Sequence, residues 1–247
     1  MNCGGSEKRN LEYSKNFTPQ KFFSEILVGK APTIFDVGAH RGESLAYLKG
    51  IFPEAKVFSF EPNPTEFEFL SEVAEGYEDV EVFDFAIGEK VGVAQFFRQD
   101  DSHLGSLLRV NVDSTDSLGY AKTAKNEPID VRVETIDSFC QQIGLDEIGF
   151  LKIDVQGAEV QVLKGAKRML RRTQAVSVEI SLFDFYEKLS SSPVLDVERL
   201  MLGGGLDLWD ISNLSKNPEN LRTEWFEAVY RRPDSSTQSG SPSGQFR

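Results

Sequence analysis

The stretch TIFDVGAHRGE, residues 33–43, decides the fold of this chain. A short apolar run ends at Asp36, a turn containing Gly38 follows, and a helical pattern begins near Glu43. A strand, a tight loop and a helix in that order predict the first unit of a nucleotide-binding α/β fold.

The two glycines of this loop, Gly38 and Gly42, do not form the G-x-G-x-x-G pattern. That pattern lets the backbone approach the pyrophosphate of a dinucleotide, so its absence disfavours a dinucleotide-dependent dehydrogenase. An acid followed by a Gly-Ala turn suits a ligand with a ribose and an amino-acid end but no phosphate, such as S-adenosyl-L-methionine. We expect Gly38 and Ala39 to contact this cofactor. Asp36 either holds the ammonium group of the cofactor or only caps the turn.

Apolar segments alternate with helical patterns along the rest of the chain, which predicts a parallel sheet with right-handed crossovers. The predicted strands are residues 33–37, 56–60, 80–85, 149–153 and 175–180. The predicted helices are residues 17–28, 43–50, 65–75, 135–143, 158–170 and 194–202. Two further segments, 206–212 and 224–230, predict an antiparallel pair at the sheet edge.

The predicted domain covers residues 17–232, between a flexible N-terminus over residues 1–16 and a tail over 233–247. The tail is rich in Ser, Gly and Pro, a composition typical of disorder. A polar insertion over residues 92–132 predicts a short hairpin and a loop above the ligand-binding edge of the sheet. Long loops in compact domains often act as lids, and a disordered surface loop is the alternative.

The net charge of −12 disfavours partners that carry many negative charges. We therefore expect neither nucleic acid nor an anionic membrane surface as a partner. Two cysteines and two histidines give no disulfide framework and no metal-ligand spacing, so we expect no metal site. The sequence shows no apolar signal segment and no run long enough to cross a membrane, so we expect a cytoplasmic protein.

Polar residues follow the predicted strands, and ligands of open parallel sheets bind beyond the carboxyl ends of strands. Glu61 follows the second strand, where a carboxylate can accept hydrogen bonds from both ribose hydroxyls. Charge-assisted bonds of this kind contribute about 1.5–3 kcal/mol each. Pro62 and Asn63 extend this candidate cofactor site, although the same residues can simply cap the next helix. Ala86, after the third strand, completes the candidate cofactor residues there.

A second cluster, LKIDVQGAE over residues 151–159, follows the fourth predicted strand. Lys152 and Asp154 share one face of that strand. Asp154 is the candidate general base toward an acceptor hydroxyl, and binding of the cofactor's methionine end or of a metal are alternatives. Glu159 completes the candidate catalytic set, although an acid in the first turn of a helix also interacts favourably with the helix dipole.

Two further residues are open to more than one interpretation. Glu179 ends the next strand and is a candidate to face the acceptor, or is a surface acid. His40 is a candidate cofactor contact or base, and it can equally fill space beside the ligand.

These motifs together resemble the FkbM family of S-adenosylmethionine-dependent methyltransferases. The resemblance runs from about residue 33 to residue 183 and rests on IFDVGAHRGE (34–43), FEP (60–62), AIG (86–88), ETID (134–137), LKIDVQGAE (151–159) and LKGA (163–166). It implies a class I, Rossmann-like α/β methyltransferase fold: a mainly parallel seven-stranded sheet with an antiparallel last strand and helices on both faces. The family usually has Asn where His40 stands and Glu where Gln156 stands, so Gln156 removes a negative charge next to Asp154.

The resemblance also implies a reaction, usually O-methylation of a sugar or a natural-product hydroxyl. We therefore predict methyl transfer from S-adenosyl-L-methionine to a small-molecule or glycan acceptor. The acceptor pocket is expected between the insertion and the region after Glu179. The alternative is a catalytically inactive cofactor-binding or scaffold protein of the same fold, which would bind S-adenosylhomocysteine without turnover.

Overall fold

The computed structural model describes residues 4–29, 31–114, 116, 118–187 and 192–233. The predicted tail lies outside these residues, apart from Pro233. The strands are β1 (Thr33–Val37), β2 (Lys56–Phe60), β3 (Val80–Phe83), β4 (Ala86–Ile87), β5 (Gly92–Arg98), β6 (Glu127–Glu134), β7 (Ile148–Ile153), β8 (Thr173–Ser181), β9 (Asp207–Lys216) and β10 (Thr223–Arg231). The helices are α1 (Gly4–Asn16), α2 (Pro19–Ile26), α3 (Glu43–Ile51), α4 (Pro64–Ala74), α5 (Tyr120–Thr123), α6 (Ile136–Gln142), α7 (Glu159–Lys164), α8 (Lys167–Leu170) and α9 (Pro193–Gly204).

Seven strands form the central sheet in the order β3-β2-β1-β7-β8-β10-β9. β1, β2, β3, β7 and β8 are parallel, and β10 runs antiparallel between β8 and the edge strand β9. The predicted α/β fold, with its mainly parallel sheet and antiparallel last strand, is confirmed. The chain reverses its direction across the sheet between β1 and β7, and this switch point is where open α/β sheets bind ligands.

The register aligns the carboxyl ends of the parallel strands. Val37, the last residue of β1, pairs with Phe60 at the end of β2 and with Ile153 at the end of β7. Ile153 pairs in turn with Val178 in β8. The residues that follow these strands therefore meet at one edge of the sheet, because parallel strands end on the same side.

The insertion forms a second, three-stranded sheet of order β4-β6-β5. β5 and β6 are antiparallel, as predicted, but a long connection replaces the short hairpin loop. This connection contains a 3-10 turn over Ser102–Leu104 and the short helix α5. Val110 bridges to Tyr186, and both side chains are buried in a small apolar cluster. The insertion therefore lies over the carboxyl edge of the central sheet, where the sequence analysis placed it.

Two helical segments differ from the predictions. Residues 4–16, part of the segment expected to be flexible, form helix α1, whose Glu, Lys and Arg residues favour a helix and whose side chains are exposed from residue 7 onward. The helix predicted over 158–170 is divided into α7 and α8. A β-carbon at Gly165 would overlap the carbonyl oxygen of Gly88, so the chain packs too closely there for a side chain. The Asp137 carboxylate then accepts the N–H groups of Arg168 and Met169 and begins a new helix.

Phenylalanine rings fill the sheet-helix interface behind this edge. Phe139 of α6 packs against four rings of β1, β2 and β3 at centroid distances of 4.9–5.8 Å, namely those of Phe35, Phe58, Phe60 and Phe83. This layer of rings packs α6 against strands β1, β2 and β3. Among the described helices, none combines the length and the apolar character that crossing a bilayer requires.

Candidate functional site

The loop after β1 is held between the ends of its two neighbouring strands. The N–H groups of Gly38 and Ala39 both donate to the carbonyl oxygen of Phe60, at 3.0 and 3.1 Å. Gly38 has φ of 78°, a left-handed conformation that favours glycine. A β-carbon at Gly38 would overlap the carbonyl oxygen of Asp154. The loop therefore needs glycine both for its backbone conformation and for its contact with the end of β7.

Glu61 is a buried carboxylate between two backbone donors. Its Oε2 accepts the N–H of His40 at 3.0 Å and its Oε1 accepts the N–H of Asn63 at 2.8 Å. Burial raises the pKa of Glu61 to about 7, although these two hydrogen bonds lower it. A carboxylate has about four acceptor positions. Two of them therefore remain for hydroxyl groups of a ligand.

Lys152 forms a largely buried ionic centre behind the loop, in which Asp36 is completely buried. Its Nζ lies 3.3 Å from Asp36 Oδ1 and 3.6 Å from Asp154 Oδ2, and it donates to the carbonyl oxygen of Gly38 at 3.1 Å. Burial lowers the pKa of Lys152, but the two carboxylates outweigh burial and raise it above the usual lysine value. Lys152 therefore stays charged and joins β1, the glycine loop and the end of β7.

Asp36 itself is buried and turned away from the ligand side. Its Oδ2 accepts the hydroxyl of Ser44 at 2.6 Å, in the first turn of α3, and its Oδ1 faces Lys152. In this arrangement Asp36 fixes the helix start and the lysine.

A hydrogen-bonded chain links the carboxylates at the ends of β7 and β8. The side-chain amide of Gln156 donates to Asp154 Oδ1 at 2.7 Å and to Glu179 Oε1 at 3.4 Å. The Tyr186 hydroxyl donates to Gln156 Oε1 at 3.0 Å, and burial raises the pKa of Tyr186 well above its usual value. A neutral amide at position 156 can donate to both acids, whereas a glutamate there would add a third negative charge.

Glu159, the third predicted catalytic residue, holds the loop after β7. Its Oε1 accepts the N–H groups of Val155 and Gly157, at 3.1 and 3.0 Å. It is also the first residue of α7, where an acid interacts favourably with the helix dipole. Burial raises the pKa of Glu159 to about 7, and the charge of Asp154 raises it too. These contacts assign Glu159 a positioning role.

We expect Glu159→Gln to stabilise the protein at alkaline pH, because Gln Oε1 can accept the same two N–H groups without a buried charge. The carboxyl has a pKa of about 7 in the folded protein and about 4.3 in the unfolded chain. Its protonated form therefore favours folding below pH ~4, and this contribution is lost as pH rises through ~7. At pH ~8 the variant should gain about 1–3 kcal/mol in unfolding free energy, with little change at pH ~4. Urea unfolding across this range measures the difference, and equal effects at both pH values would contradict it.

His40 connects the glycine loop to the insertion. It has φ of 48°, its Nε2 lies 2.8 Å from the hydroxyl oxygen of Ser102, and its ring lies 4.0 Å from that of His103 between centroids. Burial lowers the pKa of His40, and the neighbouring His103 lowers it further, against the opposing effect of Glu43. Neutral His40 therefore closes this side of the site as a packing and hydrogen-bonding residue.

The same residues form a group that can hold a metal ion. The ligand atoms of His40, Glu43 and His103 lie within 4.8 Å of one another, and imidazole and carboxylate are ordinary ligands of transition metals. We expected no metal site from the sequence, because its two cysteines and two histidines show no metal-ligand spacing. The fold places them side by side.

These elements surround a first cavity of about 620 Å³, a volume that includes space open to solvent. Six of the predicted cofactor residues line it: Gly38, His40, Glu61, Pro62, Ala86 and Asp154. Asp36, Ala39 and Asn63 lie behind its wall. Neither lysine nor arginine is among the described residues that line the cavity, which makes it a poor site for a pyrophosphate.

The sequence analysis did not name the residues that the insertion contributes. Phe96, Ser102, His103, Gly105 and Leu107 all line the first cavity. The length of the insertion was the available signal, since it placed the segment over the site. Its irregular sequence gave no periodicity from which particular residues could be chosen.

A second cavity of about 840 Å³ adjoins the first. Gln156 and His103 line both. Its other walls come from the insertion, strand β8 and the segment after it, and strands β9 and β10, including Glu179, Tyr186 and Trp225. The site therefore has two compartments that meet beside the Asp154–Gln156 pair.

Comparisons with known proteins agree with this architecture. The family described as Methyltransferase FkbM domain matches residues 36–208. The 2-O-methyltransferase NoeI of Sinorhizobium fredii is 27% identical over 184 residues, covering 67% of this chain and 70% of that protein. The methyltransferase sdnD of Sordaria araneosa is 25% identical over 158 residues, covering 54% of this chain and 60% of that protein.

A solved structure shows the same fold. The crystal structure of methyltransferase FkbM from Methylobacillus flagellatus KT is 21% identical and has a TM-score of 0.51. The alignment covers 87% of this chain and 49% of the crystallised one, so this chain spans about half of that protein. On the family match, which includes more than half of its residues, the chain belongs to the FkbM methyltransferase family.

Proposed function

We propose that this protein binds S-adenosyl-L-methionine in the first cavity and transfers its methyl group to an oxygen atom of a small-molecule or glycan acceptor. One observation carries the proposal: the Gly38 turn and the buried Glu61 carboxylate line the same cavity at the switch point of the sheet. Membership of the FkbM methyltransferase family supports the same reaction class. The name of NoeI, a 2-O-methyltransferase, supports oxygen as the accepting atom.

The chemistry of the first cavity fits this cofactor. Glu61 offers acceptor positions for the two ribose hydroxyls, beside the apolar surface of Pro62, Ala86 and Ile87 that suits an adenine ring. The cofactor carries no phosphate, which agrees with a lining free of lysine and arginine among the described residues. The carboxylate of Asp154 lies at the opposite end, next to the second cavity.

When bound, the cofactor supplies a methyl group on a positively charged sulfur. The residues of the chain supply position and proton transfer. Asp154, half-buried where the two cavities meet, is the proposed general base for the acceptor hydroxyl. Lys152 and Gln156 position its carboxylate through their contacts with Oδ2 and Oδ1. Gly38 and Glu61 would hold this cofactor, which would supply a methyl carbon that leaves the sulfur as the acceptor oxygen bonds to it, and Asp154 would take the hydroxyl proton.

The second cavity is the proposed acceptor site, because it opens onto the Asp154–Gln156 pair. The net charge of −12 supports a small molecule or a glycan over nucleic acid or an anionic membrane. Holding the two reactants in line can supply about 7–11 kcal/mol of the barrier reduction in favourable cases.

Titration calorimetry with S-adenosylhomocysteine tests the proposal. We expect wild-type protein to bind it with a Kd on the order of micromolar, and Glu61→Ala to bind at least about tenfold more weakly. The loss follows from two charge-assisted hydrogen bonds to the ribose. Glu81→Ala, which removes an exposed glutamate of β3 outside the cavity, is the matched control and should bind like wild type.

Absence of binding by folded wild-type protein would contradict the proposal, and so would unchanged affinity in a folded Glu61→Ala variant. Thermal unfolding of each variant separates lost contacts from lost structure. A parallel titration with NAD should show no binding, because the cavity lacks a pyrophosphate site.

A further inference from the structure

The second cavity is strongly acidic. Four carboxylates line it, those of Asp116, Glu159, Glu179 and Glu224. Among the described residues of its lining, none is lysine or arginine, and His103 is the sole residue able to carry a positive charge. Fields from charges of one sign are focused in a cleft with low-dielectric walls. The cavity therefore presents a negative potential to whatever enters it.

Three of the four carboxylates are already engaged by the protein. Asp116 accepts the N–H groups at the start of α5, and Glu224 accepts the side-chain amide of Asn217 at 2.9 Å. Glu159 holds the loop after β7, as described above. Glu179 differs, since its hydrogen bond among the described residues is the 3.4 Å contact from Gln156. Glu179 is therefore the least firmly held of the four carboxylates, since the protein gives it one long hydrogen bond.

The remaining walls are aromatic. Phe183, Tyr186 and Trp225 line the cavity near Glu179, and Tyr120 lines it from the insertion. Aromatic rings attract cations through their quadrupole, and the attraction is larger where water is excluded. A cavity that combines aromatic walls with a partly free carboxylate suits a positively charged group on an otherwise uncharged molecule.

We propose that the acceptor carries a protonated amine in addition to the hydroxyl that is methylated, and that Glu179 binds this amine and determines the specificity. The inference rests on the proposed function, since it assigns the substrate class of the same site. An acceptor of this class is an amino sugar or an amino alcohol. A phosphorylated or carboxylated acceptor is excluded by repulsion from the acidic lining.

The surroundings of Glu179 support this assignment. Burial, and then the negative charges of Asp154 and Glu159, raise the pKa of Glu179. Each of these causes disfavours the ionised carboxyl, because it adds charge to an already negative site. A bound ammonium group neutralises that charge and therefore favours ionised Glu179.

Three small phenols of matched size test the proposal. Tyramine, tyrosol and 4-hydroxyphenylacetate share a hydroxylated ring and differ at the chain end, which is an ammonium, a hydroxyl or a carboxylate. Ligand-observed NMR titrations at pH ~8, where an alkyl ammonium stays charged, give their affinities with and without saturating S-adenosylhomocysteine. The proteins are wild type, Glu179→Gln and a control, Glu54→Gln, which alters an exposed glutamate before β2 at the opposite edge of the sheet.

We expect wild-type and Glu54→Gln proteins to bind tyramine at least about tenfold more tightly than 4-hydroxyphenylacetate, with tyrosol between them. Glu179→Gln should reduce this preference to within about threefold, and thermal unfolding should show that it is folded. Equal affinities, a preference for the carboxylate, no binding of any phenol up to ~10 mM, or an unchanged preference in Glu179→Gln would each overturn the proposal. Failure of S-adenosylhomocysteine to bind would instead overturn the proposed function, because the phenol preference is also measured without it.

Discussion

Replacement of Gly38 by alanine is expected to abolish measurable binding of S-adenosylhomocysteine and to lower the free energy of unfolding by at least about 3 kcal/mol. The added β-carbon would overlap the carbonyl oxygen of Asp154 and lie 2.9 Å from its carbonyl carbon. The φ of 78° adds about 1–2 kcal/mol for a residue with a side chain. Because both obstacles are backbone atoms of Asp154, the loop itself has to move away from the end of β7.

Two readouts separate these effects. Urea unfolding gives the loss of stability, and calorimetry at a temperature where the variant remains folded gives the loss of affinity, expected to exceed about a hundredfold. Gly50→Ala is the matched control, since Gly50 lies in α3 and a β-carbon there meets nothing within 4 Å. Alanine should stabilise that helix by about 0.5–1 kcal/mol. A Gly38→Ala variant as stable and as competent to bind as wild type would contradict the close packing of the two loops.

Short stretches of sequence were enough to predict strands β1 and β2 and the site residues that directly follow strands. β1 and β2 begin and end where the apolar runs begin and end, because a strand buried on both faces reads as a continuous apolar segment. Gly38, Glu61 and Asp154 directly follow such strands, so parallel alignment alone was enough to bring them to one edge. The predictions for these residues needed no knowledge of distant contacts.

Other features depend on contacts between distant segments and were not predictable in this way. The end of α7 is set by the contact of Gly165 with Gly88, which no helical periodicity reveals. The pairing of His40 with His103 depends on the path of an irregular connection. Asp36 shows the same limit, because its position near the end of a strand suggested ligand contact, whereas its carboxylate contacts Lys152 and Ser44.

Lys152→Met is expected to destabilise the protein by about 3–5 kcal/mol, because it removes the cation from a buried ion pair and leaves its acidic partner. Asp36 is completely buried, and Lys152 supplies the positive charge 3.3 Å from its Oδ1. Methionine matches the length and volume of the lysine stem, so the change tests charge rather than packing. The hydrogen bond to the Gly38 carbonyl is lost as well. Cofactor affinity should therefore fall together with stability, measured by urea unfolding and calorimetry.

The origin of this loss can be isolated by a second substitution. Asp36→Asn in the Lys152→Met background removes the uncompensated charge and should restore at least about 1–2 kcal/mol, so the two changes are not additive. Lys125→Met is the surface control, since the pair of Lys125 with Asp100 has the shorter distance of 2.8 Å but is mostly exposed. Its loss should cost much less than the loss of Lys152, because solvent screens an exposed pair. Similar losses for the buried and the exposed lysine would mean that Lys152 contributes as an ordinary surface charge. A large, Asp36-dependent loss would identify Lys152 as the residue that joins β1, the glycine loop and the Asp154 carboxylate into one site.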